Sequence, residues 1–126
     1  MKINNIKIGE NEPPYIIAEI SANHNGSLKE ALDLISVAKD NGATAVKIQT
    51  YTAESMTLPM KHAPFLLTSG PWAGKTLYDL YTEAHTPYEW HPHLYEHAKR
   101  VGITLFSSPF DEDAVDLLES LNTPAY

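Results

Sequence analysis

Three short runs rich in apolar and β-branched residues, 15–21 (YIIAEIS), 45–51 (AVKIQTY) and 103–108 (ITLFSS), alternate with segments whose apolar residues recur at helical spacing. No other feature of the chain constrains its fold as strongly. Strand–helix–strand order implies parallel strands joined by right-handed helical crossovers, since only a parallel pair needs a long return. Pro13-Pro14 bounds the first run. Ser27 then opens Ser-Leu-Lys-Glu, a capping box with Glu30. Leu28, Ala31, Leu32, Ile35 and Ala38 form one apolar face behind it, and Asn41-Gly42 supplies a left-handed stop before the second strand.

The segment 52–75 breaks the regular pattern. Pro59, Pro64 and Pro71, with Gly70 and Gly74 around Trp72, predict a long loop. Thr76-Leu-Tyr-Asp79 forms a second capping box, and Leu77, Leu80, Tyr81 and Ala84 share one face of a short helix. Thr86-Pro87 suits the opening of a third helix, but Pro92 falls inside it, which moves the predicted start to near His91. Leu94, Ala98 and Val101 carry its apolar face to Gly102. Asp111 caps a last helix with Glu112 and Asp113 in its first turn, where acidic groups suit the helix dipole. Ala114, Val115, Leu118 and Leu121 give that helix its buried stripe. The N-terminal NIKIGE adds a small strand outside the alternation. Neither early turn carries the G-x-G-x-x-G phosphate loop, which weighs against a nucleotide-binding doubly wound sheet. A complete (β/α)8 barrel takes about 250 residues, and this sequence has 126. It therefore reads as the first part of such a barrel, about three β/α units long.

Composition narrows the chemistry. Nine basic residues against sixteen acidic ones give a net charge of −7, so the basic footprint that nucleic-acid binding requires is missing. Cysteine is absent, which excludes disulfide scaffolds, thiolate metal sites and cysteine nucleophiles. No apolar run approaches the ~20 residues of a membrane span, and the N-terminus lacks a signal-peptide pattern. A cytoplasmic domain that handles small molecules is expected.

Strands of a parallel sheet are normally near-continuous apolar runs. Glu19 and Lys47 interrupt two of them, near their C-terminal ends, where barrel active sites are built. Alternation puts Glu19 with Ser21 on one face, and Lys47 with Gln49 on one face of the next strand. One reading is an ion pair that merely joins two strands. The other is an acid/base or hydrogen-bonding carboxylate beside a cation that receives an anionic substrate, and we take this second reading. The loop Ser21-Ala-Asn23-His24-Asn25-Gly26 adds polar side chains to the same rim, although Asn and Gly are also ordinary turn residues. Ser107-Ser108-Pro109 ends the third strand, with hydroxyls suited to a phosphate or to capping. His93 and His97 have the i, i+4 spacing of a metal pair, but the string H-P-H-L-Y-E-H lacks the zincin pattern. With His91 they are expected on a solvated outer helix face.

Three segments, Tyr15-Ile-Ile-Ala-Glu-Ile-Ser-Ala-Asn-His-Asn-Gly26, Ala45-Val-Lys-Ile-Gln-Thr50 and Phe106-Ser-Ser-Pro-Phe-Asp111, resemble the N-terminal half of the sialic acid synthase family. The resemblance runs in order from about residue 13 to the end. Within the family, residues 70–87 are most similar to the branch that makes pseudaminic acid. The resemblance implies that residues 1–126 are the N-terminal part of a (β/α)8 barrel, with the rest of the barrel and a C-terminal antifreeze-like domain outside this chain. It implies a domain-swapped homodimer that condenses phosphoenolpyruvate with an amino-sugar aldose, 2,4-diacetamido-2,4,6-trideoxy-altrose, and releases phosphate. N-acetylneuraminate synthesis from N-acetylmannosamine is the alternative, and a catalytically silent isolated chain is a further expectation. By the same resemblance Lys47 and Ser108 contact phosphoenolpyruvate, Glu19 and Gln49 contact the sugar, and Asn23 and His24 belong to a sugar-side loop. The family's cofactor is a divalent cation, manganese or magnesium. Its histidine ligands lie later in the barrel, so no metal ligand is expected in this chain.

Overall fold

The computed structural model describes residues 1–126. Its centre is a three-stranded parallel sheet in the order β3-β4-β5, formed by Ile17–Glu19, Ala45–Thr50 and Thr104–Pro109. Helix α1 (Leu28–Asp40) connects β3 to β4, and α4 (His91–Val101) leads into β5. Both crossovers return the chain to a neighbouring parallel strand, as the alternation requires. Helix α5 (Glu112–Ser120) follows β5. NIKIGE contributes only half of a small antiparallel hairpin, in which β1 (Lys2–Ile3) pairs with β2 (Ile6–Lys7). The Asn4 carboxamide of its turn donates to the Thr104 hydroxyl at 3.0 Å, tying the hairpin to the start of β5.

The first strand is shorter than its apolar run, because Ile16 turns its carbonyl to the N–H groups of Thr44 and Ala45 before the ladder begins. The long loop contains a single turn of helix that its composition did not reveal, α2 (Ala53–Met56), closed by reciprocal Thr52–Ser55 capping. Helix α3 (Leu77–Ala84) follows, capped by Thr76. Pro87 precedes a 3-10 turn over Tyr88–Trp90, and α4 starts at His91 with Pro92 in its first turn, where a missing N–H costs nothing. Gly102 ends α4 at φ +75°, a left-handed position that favours glycine.

One face of the sheet makes the core. Ile20, Val46, Ile48 and Leu105 pack with Ala31 and Ile35 of α1, Leu94 and Ala98 of α4, and Ile103. Side chains of opposite parity point the other way, so Glu19, Lys47, Gln49 and Ser108 leave this cluster and remain partly accessible. The expectation that these residues share one face at the strand ends is met. No helix is long and apolar enough to cross a membrane.

Candidate active site at the strand ends

Register explains why these particular side chains meet. Glu19 of β3 pairs directly with Lys47 of β4, and Gln49 of β4 with Ser108 of β5. Directly paired residues of a parallel sheet project to the same face, so the four form a staggered patch across three strands with Lys47 and Gln49 at its centre. The Lys47 ammonium lies 2.9 Å from Glu19 Oε2 and donates to Ser108 Oγ at 3.5 Å. Both charged side chains keep about a third of their surface in solvent, 32% for Lys47 and 37% for Glu19. A half-open pair of this kind contributes little to stability, on the order of 0–1 kcal/mol.

Glu19 is held from its other oxygen as well. Oε1 accepts from the backbone N–H and from the hydroxyl of Ser21, each at 3.1 Å. Ser21 reaches back this way because its φ is +47°, a left-handed conformation that costs a non-glycine residue about 1–2 kcal/mol. The carboxylate therefore has a fixed orientation before any ligand arrives. Lys47 is left with a cation whose partners, one carboxylate and one hydroxyl, an incoming anion can replace.

The loop after β3 separates its two predicted residues. Asn23 is exposed on the rim, its backbone N–H donating to the Ile20 carbonyl at 3.0 Å. His24 turns inward and is only 1% exposed. Its Nδ1 accepts from the Gly26 N–H at 3.1 Å, which leaves the ring proton on Nε2, facing Thr86 Oγ1 at 3.4 Å. Its ring meets Trp90 edge-on, with centroids 5.4 Å apart. Burial, aided by His85 and opposed by Glu30, holds its pKa below the ordinary value. His24 thus fastens the Asn23 loop to the segment before α4 and is not part of the open patch. Glu30 also departs from expectation. Ser27 accepts from the Glu30 N–H as predicted, but the Glu30 carboxylate accepts from Asn25 Nδ2 at 2.9 Å and does not close a capping box.

The histidines of α4 require a larger correction. His91 is not on a solvated face: it is 0% exposed, as are Thr50 and Ser107. His91 Nδ1–H donates to the Pro87 carbonyl at 3.1 Å, so Nε2 accepts from the Thr50 hydroxyl at 2.8 Å. Thr50 Oγ1 lies 2.6 Å from Ser107 Oγ, which is also 3.1 Å from the Ile48 carbonyl. Burial lowers the pKa of His91 and keeps the ring neutral. This closed network lies on the helix side of the sheet, one residue behind Gln49 and one behind Ser108. Ser107 is therefore not a phosphate hydroxyl, since its side chain faces the wrong way. Only the β-strand parity of Thr50 and Ser107 could have signalled the network, with no indication that a histidine would complete it. His97 is also engaged, its Nε2 2.8 Å from Ser36 Oγ and its Nδ1 accepting from Arg100 at 2.6 Å. His93 is exposed, and no three His, Cys, Asp or Glu side chains gather to hold a metal ion. The residues of this chain do not fit the divalent cation that the resemblance implies.

Comparison with known proteins identifies what the chain is similar to. The chain is 48% identical over 115 residues to the pseudaminic acid synthase of Helicobacter pylori, covering 91% of this chain and 34% of that protein. It is 49% identical over 112 residues to the pseudaminic acid synthase of Campylobacter jejuni serotype O:2, covering 89% of this chain and 33% of that one. The human N-acetylneuraminate-9-phosphate synthase is 33% identical over 120 residues, which cover 94% of this chain and 33% of that protein. The chain thus spans about a third of the length of these relatives. Among solved structures, the N-acetylneuraminic acid synthetase of Leptospira borgpetersenii superposes with a TM-score of 0.80 at 30% identity, over 98% of this chain and 38% of that one. The three parallel β/α units are the N-terminal part of the barrel seen there. Residues 34–126 match the model of the NeuB family, and with that match over most of its length this chain belongs to the NeuB family of sialic acid synthases.

Proposed function

We propose that the protein carrying this chain is a cytoplasmic pseudaminic acid synthase that condenses phosphoenolpyruvate with 2,4-diacetamido-2,4,6-trideoxy-altrose. The observation that carries the reading is the Lys47 ammonium, set between the Glu19 carboxylate and the Ser108 hydroxyl on the accessible face of the sheet. The choice of acceptor is supported by the gradient of identity, 48% to a pseudaminic acid synthase against 38% to a diacetyllegionaminic acid synthase of Legionella pneumophila.

In this reading Lys47 and Ser108 bind phosphoenolpyruvate, the ammonium exchanging part of its bond to Glu19 for a ligand anion. A charge-assisted hydrogen bond of this kind contributes about 1.5–3 kcal/mol. The terminal enol carbon forms the new C–C bond to the sugar's aldehyde carbon, whose oxygen takes up a proton. Water adds to the neighbouring carbon, and that carbon's bond to the phosphate oxygen breaks, so phosphate leaves and one water is consumed. Glu19, fixed by Ser21, stands at the reacting end of the sugar. Gln49 and Asn23 supply carboxamides to its hydroxyl and acetamido groups, and His24 acts through the Asn23 loop it fastens. The whole protein works as a domain-swapped homodimer, and a divalent cation, which residues outside this chain would hold, would supply Lewis-acid chemistry. The 126-residue chain alone is then catalytically silent.

Phosphate release by the full-length protein, supplied with phosphoenolpyruvate and either the diacetamido sugar or N-acetylmannosamine, tests the reading. Release with the diacetamido sugar is expected. Release with N-acetylmannosamine only would overturn the choice of acceptor, and no release with either would overturn the synthase assignment.

A further inference from the structure

A cavity of about 410 Å³ opens beside the β3–α1 loop, between that loop and α3. Its walls include Asn23 and Asn25 on one side, and Trp72, Leu80, Glu83 and Ala84 on the other. The chemistry of those walls is specific. Trp72 is 51% exposed, which leaves a face of its indole available at this concave surface. Asn25 commits its amide nitrogen to Glu30, which leaves its oxygen, while Asn23 engages only its backbone N–H and leaves its carboxamide free. The Glu83 carboxylate is neutralised by the Lys75 ammonium, so the lining offers an anion no free cation. A phosphate or carboxylate would find no unpaired cation there. What fits is a neutral group that both donates and accepts a hydrogen bond and ends in a small apolar surface.

Position narrows the choice further. Asn23 is four residues from Glu19, at most about 14 Å along a fully extended chain, and the turn bond from Asn23 N–H to Ile20 brings it closer. The cavity therefore opens on the same loop that follows the Glu19 strand end. The far wall, Trp72, Leu80, Glu83 and Ala84, belongs to the segment 70–87.

We infer that the cavity between the Asn23 loop and Trp72 receives an acetamido substituent of the acceptor sugar, its N–H and carbonyl meeting the Asn23 and Asn25 carboxamides and its methyl group resting on the Trp72 indole. The inference rests on the proposed synthase activity and adds to it the place where the N-acyl group is read. Trp72 and Asn23 are specificity-determining residues in this arrangement.

The test uses the full-length protein and two acceptors that differ only in one acetyl group, the diacetamido sugar and its mono-deacetylated counterpart. In the unaltered protein kcat/KM favours the diacetamido sugar. Trp72→Ala should shrink that preference about tenfold while KM for phosphoenolpyruvate stays within twofold. Asn23→Ala should shrink it in the same direction, and Trp72→Phe should restore most of it. An unchanged preference in both alanine variants overturns the inference, as does a parallel rise in KM for phosphoenolpyruvate. Saturation-transfer NMR on the acetyl methyl protons gives a readout independent of turnover: the signal should be strong with the unaltered protein and weak with Trp72→Ala. If no phosphate is released by the unaltered protein with either sugar, the synthase reading fails, while equal methyl signals in the two proteins would refute the cavity assignment separately.

Discussion

Glu19 and Lys47 are directly paired residues of neighbouring parallel strands, and their side chains meet at 2.9 Å on the sheet face that the helices α1 and α4 do not occupy. A charge pair buried under helices would have been costly to keep and costly to break. This one keeps about a third of its surface in solvent, with its carboxylate anchored from behind by Ser21 and its ammonium free to turn toward a ligand. The arrangement contributes little to stability and a preset electrostatic contrast, negative on β3 and positive on β4.

Lys47→Ala in the full-length protein should raise KM for phosphoenolpyruvate roughly 10- to 100-fold, as one charge-assisted contact is lost and each ~1.4 kcal/mol is a factor of ten. KM for the sugar should move far less. Steady-state kinetics with each substrate varied in turn checks the split; equal rises in both constants would argue for a collapsed site.

Stability should fall below neutral pH because of His91. Burial depresses its folded-state pKa below the ordinary 6.5, so on acidification the unfolded chain binds the proton first. The neutral-ring contribution is fully present above pH about 6.5 and is lost as pH falls from there through the depressed folded value. His24 titrates with the same sign. Melting temperatures at pH 7.5 and 5.5 check this, the loss on acidification being larger in the unaltered protein than in His91→Gln. Equal losses would contradict it.

Much of this architecture was legible in the sequence, and the limits have physical causes. The caps at Ser27, Thr76 and Asp111 and the stop at Gly102 are local signals, written within four residues of the backbone groups they satisfy. The shared face of Glu19, Lys47, Gln49 and Ser108 follows from strand parity, which needs only the strands and their order. The burial of His91 is not legible, because helical position alone does not say which neighbour a helix packs against. Its partner Thr50 lies 41 residues away in number, and Ser107, which bonds Thr50, sits on the next strand. The resemblance places His24 in a sugar-side loop, and its position between two asparagines does not tell which way its ring points. Only the close approach of Thr86 and Trp90 turns it inward.

Asp111 joins two elements through one oxygen. Oδ1 accepts from the Ala114 N–H at 2.6 Å, capping α5, and from the Tyr88 hydroxyl at 3.4 Å. Burial first, and the Asp111 charge second, push the Tyr88 pKa up to about 12. Asp111→Ala should cost about 1 kcal/mol of stability, and at most ~2. Followed by phenolate absorbance, Tyr88 should titrate lower in this variant yet still above 10, since burial persists. An unmoved Tyr88 would show that the hydroxyl does not sense Asp111.

The most direct measurement is turnover and melting temperature of Glu19→Gln in the full-length protein, because this substitution keeps the shape of the side chain and removes its charge. If Glu19 works on the sugar, kcat falls strongly while the melting temperature scarcely changes, as expected for a pair worth at most about 1 kcal/mol. If the pair only joins two strands, Glu19→Gln and Lys47→Ala each lower the melting temperature, and the double variant recovers much of the loss. The account predicts lost turnover in a stable protein; near-normal turnover in a destabilised one would contradict it.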